Sequence, residues 1–129
     1  MQGMVYFESD GAWLLPGPDG RRCEVLVAGS RNAPDPERLA LMQRVLSRLD
    51  ELRERAAGFL DTFIDRARIA PGGHAWDLDG VTSSPRDAPA SNQVTLHFVL
   101  EGDTYGEWAV TLQESGTHFV LASLTRRQI

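Results

Sequence analysis

The spacing of hydrophobic positions changes character twice along this chain. Short alternating runs occupy residues 4–28, steps of three and four occupy residues 36–68, and alternation returns from residue 75 to residue 121. The middle segment announces its own start: Asp35 suits an N-cap, Pro36 the first helical position, and Glu37 the positive end of the helix dipole. Leu39, Met42, Leu46, Leu49, Ala56, Leu60, Phe63 and Ala67 then recur at helical spacing, with Arg53 as the interruption. Val45, Leu52 and Phe59 widen the stripe to the breadth of a helix lying on a sheet rather than that of a coiled-coil seam. Glu51 and Arg55 are spaced as a favourable pair, Asp61 and Asp65 as a repulsive one. Ala70-Pro71-Gly72-Gly73 ends the segment.

The spacing predicts one long amphipathic helix over 36–68, about 50 Å long if unbroken. A domain of this size is roughly 36 Å across. The helix therefore bends near Gly58 or overhangs the domain. An overhanging apolar stripe needs a second subunit, and a two-fold homodimer is the expected way to cover it.

The flanks read as strands. Met4 to Glu8 alternates, Asp10-Gly11 signals a two-residue hairpin, and Trp13-Leu14-Leu15 follows. Gly17-Pro18-Asp19-Gly20 is a turn, and Arg22 to Ala28 forms a third strand with Cys23, Val25 and Val27 on one face. After the helix, Ala75 to Val81 is a strand carrying Trp76 and Leu78 opposite Asp77 and Asp79. Thr82 to Asn92 reads as a mobile loop. Val94, Leu96, Phe98 and Leu100 mark one face of the next strand, Trp108, Val110 and Leu112 of another, and Phe119 and Leu121 of the last. A bulged turn at Asp103-Thr104-Tyr105-Gly106 pairs Asp103 with Glu107 and sets Leu100 opposite Val110. A two-residue loop at Ser115-Gly116 sets Leu112 opposite Phe119. The expected fold class is α+β: an antiparallel sheet of two meanders, in the order βββ-α-ββββ, packed on one long amphipathic helix within a single domain over 1–129. The runner-up is a hotdog-like sheet wrapped round the helix.

Composition narrows function mainly by exclusion. The net charge of -5 disfavours nucleic acid as a partner, which calls for clustered cations. No apolar run is long enough for a membrane span, and no leader peptide is expected. A lone cysteine, Cys23, forms no internal disulfide, so the cytoplasm is the expected compartment. All thirteen basic residues are arginine, which removes lysine chemistry such as Schiff bases and the P-loop. Richness in Arg, Ala, Gly, Pro and Asp suits a GC-rich genome, so a bacterial source is expected.

Each candidate chemistry has a plainer reading. The derived register places His97, Gln113 and His118 in one row, with the two histidines roughly 9.5 Å apart at the backbone, too far for one zinc. His74 sits in a glycine loop. Glu101, Asp103 and Glu107 crowd a turn without the oxygen count of a calcium site, and Asp77 and Asp79 read as solvated. Ser83, Ser84 and Ser91 lie in no nucleophile elbow, and Cys23 reads as a buried structural thiol beside Arg21, Arg22 and Glu24. Neither a metal nor a cofactor is expected. The basic tail Leu124-Thr125-Arg126-Arg127-Gln128 reads as a frayed end, or as a strip that pairs with acidic groups of the fold or of a partner. Tyr105, Glu107, Trp108, Arg126 and Arg127 are the candidate binding residues.

Tyr105-Gly106-Glu107-Trp108-Ala109-Val110 followed by the Leu124–Gln128 tail resembles a pattern in small bacterial α+β proteins, some of them similar to immunity proteins that bind and block toxins. The resemblance covers the last forty residues or so and carries no catalytic motif. Size, acidity and a long helix also resemble the dimeric chaperones of type III secretion, without their helices at both ends. The function expected is a non-enzymatic binding or protein-interaction module. The alternatives are a small acyl-thioesterase or hydrolase with a hotdog-like fold, and a secretion-chaperone-like dimer.

Overall fold

The computed structural model describes residues 3–18, 23–69, 71–72, 75–104 and 106–128. Strands β1 (Val5–Phe7), β2 (Ala12–Leu15) and β3 (Glu24–Ala28) come first. Helices α1 (Pro36–Ser47), α2 (Leu49–Phe63) and α3 (Arg66–Ile69) follow. Strands β4 (Trp76–Ser83), β5 (Gln93–Leu100), β6 (Gly106–Ser115) and β7 (His118–Gln128) close the order. All seven strands form one open sheet in chain order. The α+β class and the arrangement of strands before and after the helices match the expectation. The sheet is not antiparallel throughout: β3 and β4 run parallel, with Glu24 opposite Gly80 and Leu26 opposite Thr82. Hairpins force neighbours to run antiparallel, whereas a helical crossover returns the chain in the same direction.

The single long helix is broken, and the break is not at Gly58. Arg48 leaves helical geometry at φ -121, ψ 21 between α1 and α2. Its side chain belongs to the sheet. The guanidinium donates to the Thr117 carbonyl at 3.1 Å and lies 5.5 Å from the Phe119 ring centre. It also holds Glu51, so the helical pair is Arg48–Glu51 rather than Glu51–Arg55. Arg55 instead donates to the Phe119 carbonyl at 2.9 Å. Gly58 sits inside α2 with open space around it. At Ile64 the backbone is extended and α2 ends, leaving Phe63 66% exposed.

The break re-phases the buried stripe. Leu41, Met42 and Val45 of α1 and Leu49, Leu52, Ala56 and Leu60 of α2 enter one core with Val25, Val27, Leu96, Phe98 and Val110 of the sheet. Leu39, Leu46 and Phe59 pack only at its margin. The 15 residues of α2 extend roughly 22 Å. Six strand spacings make the sheet roughly 29 Å wide. Each helix segment is thus short enough to lie on the sheet, which also departs from a hotdog wrapped round one helix. The length argument for a homodimer rested on one unbroken helix and does not apply to two shorter ones.

Asp35 caps α1 as expected, accepting from the Arg38 N–H at 3.1 Å. Arg38 itself is 6% exposed, which the hydrophobic pattern does not signal. Its guanidinium donates to the carbonyls of Ser84, Pro85 and Ala88 at 3.0, 2.9 and 3.3 Å and to Asp35 at 3.1 Å. Ser91 donates to Glu37 at 2.8 Å. The segment after β4 is therefore tied to α1 rather than being the mobile loop that its composition suggests.

The hairpin registers also differ from expectation. Residues Glu8–Gly11 join β1 to β2, because Phe7 pairs with Ala12. Phe98 faces Trp108 and Leu96 faces Val110, four positions from the expected pairing. Asp103 turns inward to other partners instead of pairing with Glu107. The β6–β7 loop is Gly116-Thr117, so Leu112 faces Leu121. These shifts are even, which preserves the faces; beyond the irregularity between Thr111 and Leu112 the β6–β7 slip becomes odd, and Val110 faces Leu124.

Candidate functional site

The helices cover one face of the sheet and leave the other open. Along that open face one row crosses all seven strands: Val5, Leu14, Leu26, Thr82, Thr95, Thr111 and Ser123. Its first three members are apolar and its last four carry hydroxyls. The Thr95 and Thr111 hydroxyls meet at 2.8 Å. Val5, Phe7 and Val120, exposed by 52, 40 and 48%, all belong to this face by alternation. Glu24, Asp77 and Asp79 add exposed carboxylates.

Beside the row lies a chain of polar side chains from four successive strands. Thr82 Oγ1 is 2.9 Å from His97 Nε2, and His97 Nδ1 is 2.9 Å from Glu107 Oε1. Arg127 donates to the same Glu107 oxygen at 2.9 Å. A carboxylate only accepts, so Nδ1 donates to Glu107, and in the neutral imidazole Nε2 is then left to accept from Thr82. Glu107 is 9% exposed although it lies on the open face. Gly80, paired with His97, presents no side chain. A depression of about 170 Å³ opens there, lined by Glu24, Leu26, Asp79, Gly80, Thr82, His97, Glu107 and Arg127.

The candidate binding residues do not form one surface. Glu107 and Arg127 belong to the open face. Trp108 and Arg126 belong to the opposite one, because neighbours on a strand point to opposite sides. Trp108 is 5% exposed and packs edge-on against Trp76 with 5.7 Å between ring centres, so it is a core residue. Its indole N–H donates to Asp103 at 2.7 Å, and Arg126 donates to both Asp103 oxygens at 3.2 and 2.7 Å. The Arg126 hydrogen bonds, with help from the Trp108 N–H, hold the Asp103 carboxyl below its ordinary range against the opposing effect of burial. A Cβ at Gly106 would collide with this Asp103–Arg126 pair. Tyr105 lies outside the described residues.

The remaining candidates have structural partners or none that suggests chemistry. The tail is not frayed: β7 pairs with β6 as far as Gln128, and its arginines meet acidic groups of the fold. His118 lies beside the Gly116-Thr117 loop opposite Ser115, so the expected row with His97 and Gln113 is not formed. His74, Arg21 and Arg22 lie outside the described residues. Cys23 is buried in the core. Ser83 accepts from the Ala28 N–H at 2.9 Å. Among the described residues no group of three His, Cys, Asp or Glu side chains is arranged to hold a metal ion, and no helix is long and apolar enough to cross a membrane.

Thr82 is the site residue that the sequence pattern does not mark, and His97 is marked only as a candidate metal ligand. The signal was present, since His97 alternates with Leu96 and Phe98. The turn register, wrong by four, moved it away from Glu107. Comparison with protein-family models, with curated proteins and with solved structures gives no match to this chain.

Proposed function

We propose that this protein is a binding module that docks a protein partner on the open face of its sheet. The observation that carries the reading is where apolar side chains remain exposed. Of the four large hydrophobics exposed among the described residues, Val5, Phe7 and Val120 belong to the open face and Phe63 stands at the end of α2. The first three stand at the two edges of that face, Val5 and Phe7 on β1 and Val120 on β7, so the partner would span the width of the sheet. Glu24, Asp77 and Asp79 on the same face, in a chain of net charge -5, favour a partner with a basic surface. The C-terminal sequence resembles small bacterial α+β proteins, some of them similar to toxin-blocking immunity proteins, which belong to this interaction class.

The test is capture from source-cell lysate by wild-type protein, by a Phe7→Glu/Val120→Glu variant and by a Phe63→Ser variant. The expected result is one partner retained by wild type and by Phe63→Ser but lost by the double variant. A partner that survives the double variant and is lost with Phe63→Ser would place the interface on the helical side and refute the reading.

A further inference from the structure

The chain Thr82–His97–Glu107 has the connectivity of a nucleophile, a general base and the group that orients the base. Its parts come from three adjacent strands. Thr82 and Glu107 are not level with His97: His97 pairs with Gly80 on one side and with Ala109 on the other. The imidazole therefore spans diagonally, with one nitrogen on the hydroxyl and the other on the carboxylate. Both links are 2.9 Å. In the neutral imidazole the Nδ1 proton faces Glu107 and the Nε2 lone pair faces the Thr82 hydroxyl. The absence of a side chain at Gly80 leaves the adjoining depression of about 170 Å³ open to solvent. Leu26 supplies its apolar wall, and Glu24 and Asp79 stand at its rim.

We infer that this depression is an ester-hydrolysing site, with Thr82 as nucleophile and His97 as base, for short apolar acyl esters. This goes beyond partner docking and does not depend on it. The volume admits an acyl group of a few carbons, Leu26 favours an apolar one, and the rim carboxylates disfavour an anionic one. In the first half-reaction Thr82 Oγ1 attacks the ester carbonyl while His97 Nε2 takes the hydroxyl proton. The bond from the acyl carbon to the alcohol oxygen then breaks, and Nε2 returns that proton to the departing alcohol. In the second, water attacks the acyl-threonine and gives a proton to Nε2, the acyl carbon–Oγ1 bond breaks, and Thr82 recovers the proton. Ester and water become acid and alcohol, and the protein is unchanged. Glu107 is a positioning residue here, and Arg127 holds its carboxylate in place.

The test is turnover of p-nitrophenyl acetate by the full chain, with intact-mass detection of acetylated protein. Thr82→Val keeps the shape and removes the hydroxyl. It is expected to abolish the acetyl adduct and to lower turnover on the order of 100-fold, in line with loss of a positioned nucleophile and base. Thr82→Ser retains both the adduct and turnover. Glu107→Gln lowers kcat per active site, with the sites counted from the p-nitrophenol burst, whereas loss of folded protein lowers the number of sites and leaves kcat per site unchanged. Circular dichroism of each variant confirms that the sheet is kept. Wild-type turnover equal to that of Thr82→Val, or an acetyl group mapped to any residue other than Thr82, overturns the inference.

Discussion

Arg38 is the residue whose removal tests the packing argument most directly. It is 6% exposed, and its guanidinium satisfies three backbone carbonyls of the 84–88 segment together with the Asp35 cap. Arg38→Ala leaves those carbonyls without their donor and takes the guanidinium from Asp35, which keeps only the backbone N–H of residue 38. Hydrogen bonds to a charged group contribute roughly 1.5–3 kcal/mol each, and breaking a buried ion pair from one side costs roughly 3–5 kcal/mol. The loop can open and hydrate its carbonyls, which recovers part of the loss, so the expected destabilisation is about 3 kcal/mol. At an unfolding entropy of ~2.1 cal/mol/K per residue over this chain, Tm falls by roughly 11 °C. Urea unfolding measures the loss, and limited trypsin digestion at Arg86 reports locally on the freed loop. Arg44→Ala serves as the control. Arg44 is half exposed in its pair with Glu114, and such surface pairs are worth below about 1 kcal/mol. A loss below about 1 kcal/mol for Arg38→Ala, with no faster cleavage at Arg86, would show that the loop does not depend on this residue.

Two further outcomes follow from the same geometry. Asp103 has a folded pKa below its ordinary value of 3.8, mainly through Arg126, so its stabilising contribution is complete above that value and is lost as pH falls through the depressed one. Asp103→Asn should therefore be less stable than wild type at pH 7, with the gap in urea midpoint narrowing below about pH 4; a gap independent of pH would contradict the assignment. Because the broken helix lies on the sheet, light scattering at micromolar concentration should report the monomer mass of 14.3 kDa. Twice that mass would mean that a surface other than a helix overhang pairs two copies.

Local sequence determined what depends on short-range geometry. Asp35-Pro36-Glu37 set the start of α1, because capping is decided within one turn of helix. Alternation in β5 and β6 determined which side chains enter the core, since a strand has a period of two and an even slip in register leaves faces unchanged; in β7 the irregularity opposite Thr111 and Leu112 brings Leu121 and Leu124, three apart, to the same side. Three features were settled only by contacts distant in sequence. Arg48 breaks the helix because Thr117 and Phe119 draw its guanidinium to the sheet, whereas the intrinsic helix signal pointed to Gly58. Arg38 is buried because a loop some fifty residues later offers it carbonyls, and no hydrophobic pattern encodes such an acceptor. The Thr82–His97–Glu107 chain exists because the β5–β6 connection runs from Leu100 to Gly106 while Asp103 is held by Trp108 and Arg126. Period-two patterning is blind to a slip of four residues, so the sequence placed His97 on the correct face and only the tertiary structure brought it to Glu107.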